Sequence, residues 1–377
     1  LRVLFTGGGT GGHITPGLAV LDALRASDPE IEAAWVGTPD HREAELVPRE
    51  GIPFHPVRLR GIKRSLASRD LLHNFLFLVD WATTRPVRAA SRHLSHFSPQ
   101  VVVATGGYVC VPVALAARLR RLPVVALEQN ACAGTAVKVL SLFVQSVILP
   151  YASSESGLSG RSRHHLWGNP VRQRILQCSR AEGREEFGLP ERAEVLLITG
   201  GSLGSMELDK ASVEALLELE RHGALRERLY VLFHTGENHL QWVKESLKEC
   251  RLKIQFYPFI DQMPEALAAS DLVVARGGAM TVSELTARGI PAILLPWAGA
   301  ARDHQRLNCE SLVSQGGARM ITSDDLSGGH LAEELLPLLD NTPLREAMAD
   351  ASKRAGHPRA AEEVASLVTS YAKQLKT

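Results

Sequence analysis

The side chain best placed to move a proton is His13, which ends the glycine-rich turn TGGGTGGH (6–13). An imidazole titrates near neutral pH, so it can take a proton from a hydroxyl and hold it. A histidine here could equally cap a helix or hold the turn through a hydrogen bond. Glu128, in the run Glu128-Gln129-Asn130, is either a rival base or the group that orients His13. The second chemistry on offer is anion binding. TGGSLGS (199–205) and RGGAMTVSEL (276–285) each come after an apolar strand and lead into a helix. Helix N-termini attract anions through oriented N–H groups and the macrodipole. Glu284 falls about one turn into the second of these helices, at a reach suited to accepting two hydrogen bonds from a ribose diol, or else as a solvated helix residue. Arg172, in GNPVR (168–172), is either a cation for a departing diphosphate or a surface arginine beside a hinge.

Other chemistries are disfavoured. Gly7, Gly9 and Gly12 satisfy G-x-G-x-x-G, but the second strand ends at Val36-Gly37-Thr38 without the acid a dinucleotide ribose wants, and Asp40 lies beyond its place. There is no GxxxxGK[ST] loop, no Asp-x-Asp and no His/Asp/Glu cluster at metal spacing. No cofactor and no metal are expected. A leaving diphosphate must then be met by helix dipoles and cations.

The elements that would position these groups read as an α/β chain. RVLFT, AAWVG (33–37), VVVATGG (101–107) and PVVALEQ (123–129) are strands separated by helix-length segments, with Ile14 to Ala26 at helical spacing. Strands that are apolar throughout indicate a parallel sheet covered on both faces. The pattern restarts near Gly168: EVLLITGG, LYVLFHTG (229–236), IQFYPFI (254–260), DLVVARGG (271–278) and PAILLPW (291–297) are strands, and Met206 to Glu220 a helix. We expect two Rossmann-like domains facing across a cleft, 1–167 and 168–355, joined by a loop around 164–172. A last helix, within 356–377, is expected to pack across the junction.

Length and composition agree. The 377 residues suit two domains. Lys+Arg 42 against Asp+Glu 41 leaves a net charge of +1, too balanced for a generic nucleic-acid binder. No apolar run approaches the ~20 residues of a spanning helix. The opening LRVLFTGG reads as a strand rather than a secretory signal. Five scattered cysteines without a CxxC pair fit reduced cytosolic thiols. Between 58 and 93, basic residues dominate, and LLHNFLFLVDW (71–81) is apolar around most of a helix, with Phe75, Leu78 and Trp81 among its stripes. That pattern suggests peripheral attachment to an anionic membrane surface, or else a buried helix or a dimer contact.

GGGTGGHITPGLAV, ATGGYV, EQNACAG, GNPVR, TGGSLGS, FIDQM, GGAMTVSEL and DHQRLN occur in this chain in the order seen in the MurG family, and from Val3 to about Asn308 the chain resembles it. The resemblance implies the GT-B glycosyltransferase fold. It also implies inverting, metal-independent transfer of N-acetylglucosamine from UDP-N-acetylglucosamine to the muramyl sugar of undecaprenyl-linked lipid I, at the cytoplasmic face of the plasma membrane. By the same resemblance Thr10, Gly11 and Gly12 lie near diphosphate and acceptor, while Asn130 matches the donor-binding asparagine, and Arg172, the arginine after the GNPV turn, and Ser202, the serine of the second glycine loop, are substrate-binding. The Ile260 backbone reads uracil, Ala279, Met280, Thr281, Val282, Ser283 and Glu284 surround diphosphate and ribose, and Gln305 touches the donor sugar. The membrane patch falls at 60–88. The chain departs from the family pattern at Leu127, where His is common, at Val137, where a polar residue is common, and at Cys309, where Ala is common. The alternatives are a UDP-N-acetylglucosamine 2-epimerase-like enzyme, a non-catalytic donor-binding homologue and, more remotely, a nicotinamide oxidoreductase.

Overall fold

The computed structural model describes residues 1–9, 11–59, 85–201, 204–221 and 225–374. Phe75, Leu78 and Trp81, the expected membrane patch, lie outside them, as do Thr10 and Ser202.

The chain divides into two units, residues 1–172 with 359–377, and residues 173–358. The first carries seven strands: β1 (Arg2–Gly7), β2 (Glu32–Gly37), β3 (Phe54–Pro56), β4 (Val101–Gly106), β5 (Val124–Leu127), β6 (Ser146–Leu149) and β7 (Arg163–Leu166). Their order is β3-β2-β1-β4-β5-β6-β7, all parallel. The inner strands are buried on both faces, as a parallel sheet between helices requires. Leu127 and Val137, two positions where the sequence departs from the expected motifs, sit in the core at 1% and 4% exposure.

The second unit repeats the plan with β8 (Glu194–Thr199), β9 (Leu229–His234), β10 (Lys253–Tyr257), β11 (Leu272–Arg276), β12 (Ala292–Leu295) and β13 (Ala318–Met320). Its order is β10-β9-β8-β11-β12-β13, again parallel. In both sheets the strand order reverses beside the first strand, between β1 and β4 and between β8 and β11. Ligands of such sheets bind outside the carboxyl ends at that switch point. In each unit both strands of the switch point end in paired glycines: Gly7-Gly8 and Gly106-Gly107, then Gly200-Gly201 and Gly277-Gly278.

The division falls after Arg172 rather than at 167/168, and residues 164–166 belong to edge strand β7 rather than to a loop. Two hydrogen bonds hold Gly168 and Asn169 to the first unit. Gly168 N donates to Leu149 O (3.1 Å) and Asn169 Nδ2 to Gln129 O (2.9 Å). The C-terminal helix, Ala360–Gln374, packs on the first unit, where Val364, Val368 and Tyr371 join the core of β1, β4 and the Gly11–Ser27 helix. Tyr371 Oη meets Ser146 Oγ at 2.8 Å. Val368 is fully buried, so Val368→Ala should lower the unit's stability by about 2 kcal/mol through lost burial and a residual cavity. Urea melts would read this as a shift in midpoint at constant slope, and an unshifted midpoint would mean the helix is not part of the folded unit.

Candidate functional site

At the first switch point the Gly11–Ser27 helix begins in the glycine turn and presents His13 in its first turn. His13 Nδ1 lies 2.8 Å from Gly8 O. A carbonyl oxygen only accepts, so Nδ1 carries the proton, and the neutral ring's lone pair is on Nε2. The ring stands over the glycine pair that ends β4. A Cβ built on Gly106 (φ +120°) would lie 2.5 Å from His13 Cδ2, 3.0 Å from His13 Nε2 and 3.0 Å from Gln129 Oε1. Only glycine leaves that space. The loop after β5 thereby comes beside His13.

Glu128 is buried and spends both oxygens on its own turn. Oε1 accepts from Gln129 N (2.9 Å), Asn130 N (2.9 Å) and Asn130 Nδ2 (3.2 Å), and Oε2 from Gly134 N (2.7 Å). Four donors commit this carboxylate to shaping residues 128–134. It does not hold His13, whose Nδ1 partner is the Gly8 carbonyl. Asn130 is fixed in the same turn, its carbonyl accepting from Ser154 Oγ at 2.7 Å.

Arg172 is not left as a cation awaiting a phosphate. Nε donates to Asp22 Oδ2 (3.0 Å), and Nη1 and Nη2 donate to Glu50 Oε1 and Oε2 (2.6 and 3.1 Å). This fork clamps the end of the first unit to its two N-terminal helices. Burial raises the Asp22 carboxyl above its ordinary value despite the neighbouring guanidinium.

In the second unit the Gly277-Gly278 turn opens the Ala279–Arg288 helix, with Gly278 as its N-cap. Met280 and Val282 point inward at 8% and 1% exposure, leaving their backbone for any ligand. Thr281 and Glu284 are half-buried, and Ser283 Oγ donates back to Ala279 O (2.9 Å). Burial pushes the Glu284 carboxyl up to about 7. Gln305, in the first turn of the His304–Val313 helix, reaches the same turn: a Cβ on Gly277 would meet its carbonyl at 2.7 Å, and its Oε1 accepts from Trp297 N at 2.9 Å. Buried Asn308 donates to Gly277 O (3.2 Å). Ile260 is buried just past β10, at the sheet's carboxyl edge.

Two buried charged residues beside these turns escape a reading of the sequence. Arg276, buried at the end of β11, donates through Nε to Ser205 Oγ (3.0 Å) and through Nη2 to Glu207 Oε2 (2.7 Å), and so ties the turn after β8 to the turn after β11. Its only signal is a charged residue closing an apolar strand before two glycines. Glu43 is fully buried, and its carboxylate accepts from Gly9 N at 3.0 Å. It sits in EAELVPR (43–49), an ordinary amphipathic stretch. Among the described residues no three His, Cys, Asp or Glu side chains converge to hold a metal ion.

Known proteins are similar to this chain in sequence and in fold. Residues 3–149 match the glycosyltransferase family 28 N-terminal domain and residues 195–364 its C-terminal domain. The chain is 36% identical over 366 residues to a protein of Lactiplantibacillus plantarum named UDP-N-acetylglucosamine--N-acetylmuramyl-(pentapeptide) pyrophosphoryl-undecaprenol N-acetylglucosamine transferase, covering 97% of this chain and 98% of that one. A protein of the same name from Desulforamulus reducens is 35% identical, covering 97% of each chain. Among solved structures, MurG of Acinetobacter baumannii superposes with a TM-score of 0.73 at 28% identity, over 98% of this chain and 99% of that one. A UDP-GlcNAc 2-epimerase from Neisseria meningitidis shares the fold at 16% identity, with a TM-score of 0.68 over 98% of this chain and 100% of that one.

Proposed function

This chain belongs to the MurG family of glycosyltransferases, with the two-domain GT-B fold, and from that premise we propose a single inverting displacement with His13 as base and no metal ion. It is an N-acetylglucosaminyltransferase acting from UDP-N-acetylglucosamine onto the N-acetylmuramyl-(pentapeptide) pyrophosphoryl-undecaprenol acceptor. His13 Nε2 takes the acceptor hydroxyl's proton, the freed oxygen attacks the anomeric carbon, and the bond to the diphosphate breaks with its electron pair leaving on UDP. One displacement inverts the anomeric centre. The observation that carries this reading is the Nδ1 bond of His13 to the Gly8 carbonyl, which fixes the tautomer a general base needs.

We assign the donor to the second unit. The amide-rich turns at Gly200–Gly204 and Gly277–Ala279 meet the diphosphate, and the Glu284 carboxylate meets the ribose diol. Ser202, Thr10, Gly11, Gly12 and Asn130 keep the roles their family positions imply. Arg172 leaves that set, because its guanidinium already holds two carboxylates. The acceptor's undecaprenol places the reaction at a membrane surface, and we propose peripheral attachment there through the segment around Phe75, Leu78 and Trp81. No helix among the described residues is long and apolar enough to cross a membrane.

The test of the reading is transfer of labelled sugar from UDP-N-acetylglucosamine to the lipid-linked acceptor in EDTA. Undiminished transfer with an inverted product is expected. A strict need for a divalent ion, or retention at the anomeric carbon, would refute the mechanism.

Glu284 adds a pH dependence. A diol donates, so the ionised carboxyl is the binding form. With the unliganded group near 7, affinity for UDP-N-acetylglucosamine should tighten about tenfold from pH 6 to pH 8. Glu284→Gln should bind more weakly and lose the slope. Calorimetry across that range decides it, and a flat wild-type curve would remove Glu284 from the ribose.

A further inference from the structure

Glu43 lies 30 residues beyond His13, on a different element, and takes no part in the mechanism above. It is 0% exposed. Three donors converge on its carboxylate: Thr38 N (3.1 Å) and Thr38 Oγ1 on Oε1, and Gly9 N (3.0 Å) on Oε2. An ionised carboxylate can accept from all three at once. The Gly9 N–H it binds belongs to the same peptide plane as the Gly8 carbonyl that binds His13 Nδ1 at 2.8 Å. That peptide is trans, so its N–H and C=O point in opposite directions, one toward Glu43 and the other toward His13. The plane is boxed in on its other sides. A Cβ on Gly8 would fall 1.9 Å from Glu43 Oε1, and one on Gly107 would fall 2.4 Å from Gly8 O.

We propose that Glu43 is a positioning residue that acts on His13 through the Gly8–Gly9 peptide, its carboxylate fixing the peptide so that the carbonyl holds the imidazole as the Nδ1–H tautomer. Accepting from the N–H also polarises the peptide and puts more negative charge on the carbonyl oxygen facing His13. The arrangement is that of a carboxylate orienting a catalytic imidazole, with one backbone amide interposed. This inference rests on the reading of His13 as base for its catalytic consequence, but not for its structural one.

The experiment is nitrogen-15 NMR of the His13 ring together with steady-state kinetics, on the wild type, Glu43→Gln and Glu43→Asp. Gln can accept at one position only and presents an N–H₂ at the other. The wild-type ring should be protonated at Nδ1. In Glu43→Gln the tautomers should mix, and kcat should fall about 10- to 100-fold with KM for UDP-N-acetylglucosamine within about twofold. Glu43→Asp keeps the charge but not the reach to Gly9, so it should fall between the two and serves as the arm if Gln does not fold. A wild-type Nε2–H ring, or an unchanged ring and kcat in a folded Glu43 variant, overturns the proposal. Failure of the base reading looks different: His13→Ala would keep its kcat while the ring signals still respond to Glu43.

Discussion

His13→Ala is expected to lower kcat on the lipid-linked acceptor by about 10²- to 10⁴-fold, the usual contribution of a positioned general base, with the affinity for UDP-N-acetylglucosamine within about twofold of wild type. The division of labour comes from where the groups sit. His13 belongs to the first unit's glycine turn and makes its bond to Gly8 there, whereas the turns assigned to the diphosphate, with Glu284 and Gln305, belong to the second. Removing the imidazole leaves the second unit's anion turns as they were. Loss confined to kcat and kcat/KM marks a group used in the transition state rather than in ground-state binding. Glu128 is the control. With four N–H donors on its oxygens, Glu128→Gln should perturb the 128–134 turn, Asn130 with it, and so raise donor KM, without the loss of kcat seen on removing His13. A His13→Ala enzyme turning over within a fewfold of wild type, with Glu128→Gln inactive, would reverse the assignment.

The choice between His13 and Glu128 was not legible in the sequence, and the reason is physical. Glycine turns can be read because each comes after a fully apolar strand and leads into a helix, a local signal confined to ten or so residues. The base could be named as His13 or Glu128 but not chosen, because the choice depends on what the oxygens and nitrogens touch. Arg172 shows the same limit more sharply. Its position after GNPV suggests a free cation, yet its carboxylate partners Asp22 and Glu50 lie 150 and 122 residues away in the chain. Short strands also escaped. β3 and β13 have three residues each, and β7 reads Arg-His-His-Leu, polar because it is an edge. Glu43 is the plainest case: its helix looks solvated, and only the fold reveals that this carboxylate is turned inward onto Gly9.

Gly277→Ala should weaken the donor's hold where His13→Ala weakens the chemistry. The new methyl group would lie 2.3 Å from Cys309 Sγ and 2.7 Å from the Gln305 carbonyl. The thiol is buried, raised to about 12 by that burial, so it is an inert wall rather than a reactive group. The carbonyl is backbone and yields only if the His304–Val313 helix moves. Overpacking of this kind costs about 1–3 kcal/mol. The strain is relieved by displacing the Gly277-Gly278 turn, Gln305, or both, which are the parts assigned to the diphosphate and the donor sugar. If the full cost appears in binding, KM for UDP-N-acetylglucosamine rises about 5- to 150-fold, while kcat at saturating donor changes little. Cys309→Ala removes the closer contact and leaves the carbonyl one. It should therefore recover part of the loss in the double variant while doing little alone, a non-additivity that a double-mutant cycle reads directly. Donor titrations of the four proteins decide it. An additive cycle, or a Gly277→Ala enzyme whose loss lies in kcat and not in donor KM, would mean that this turn does not hold the departing nucleotide.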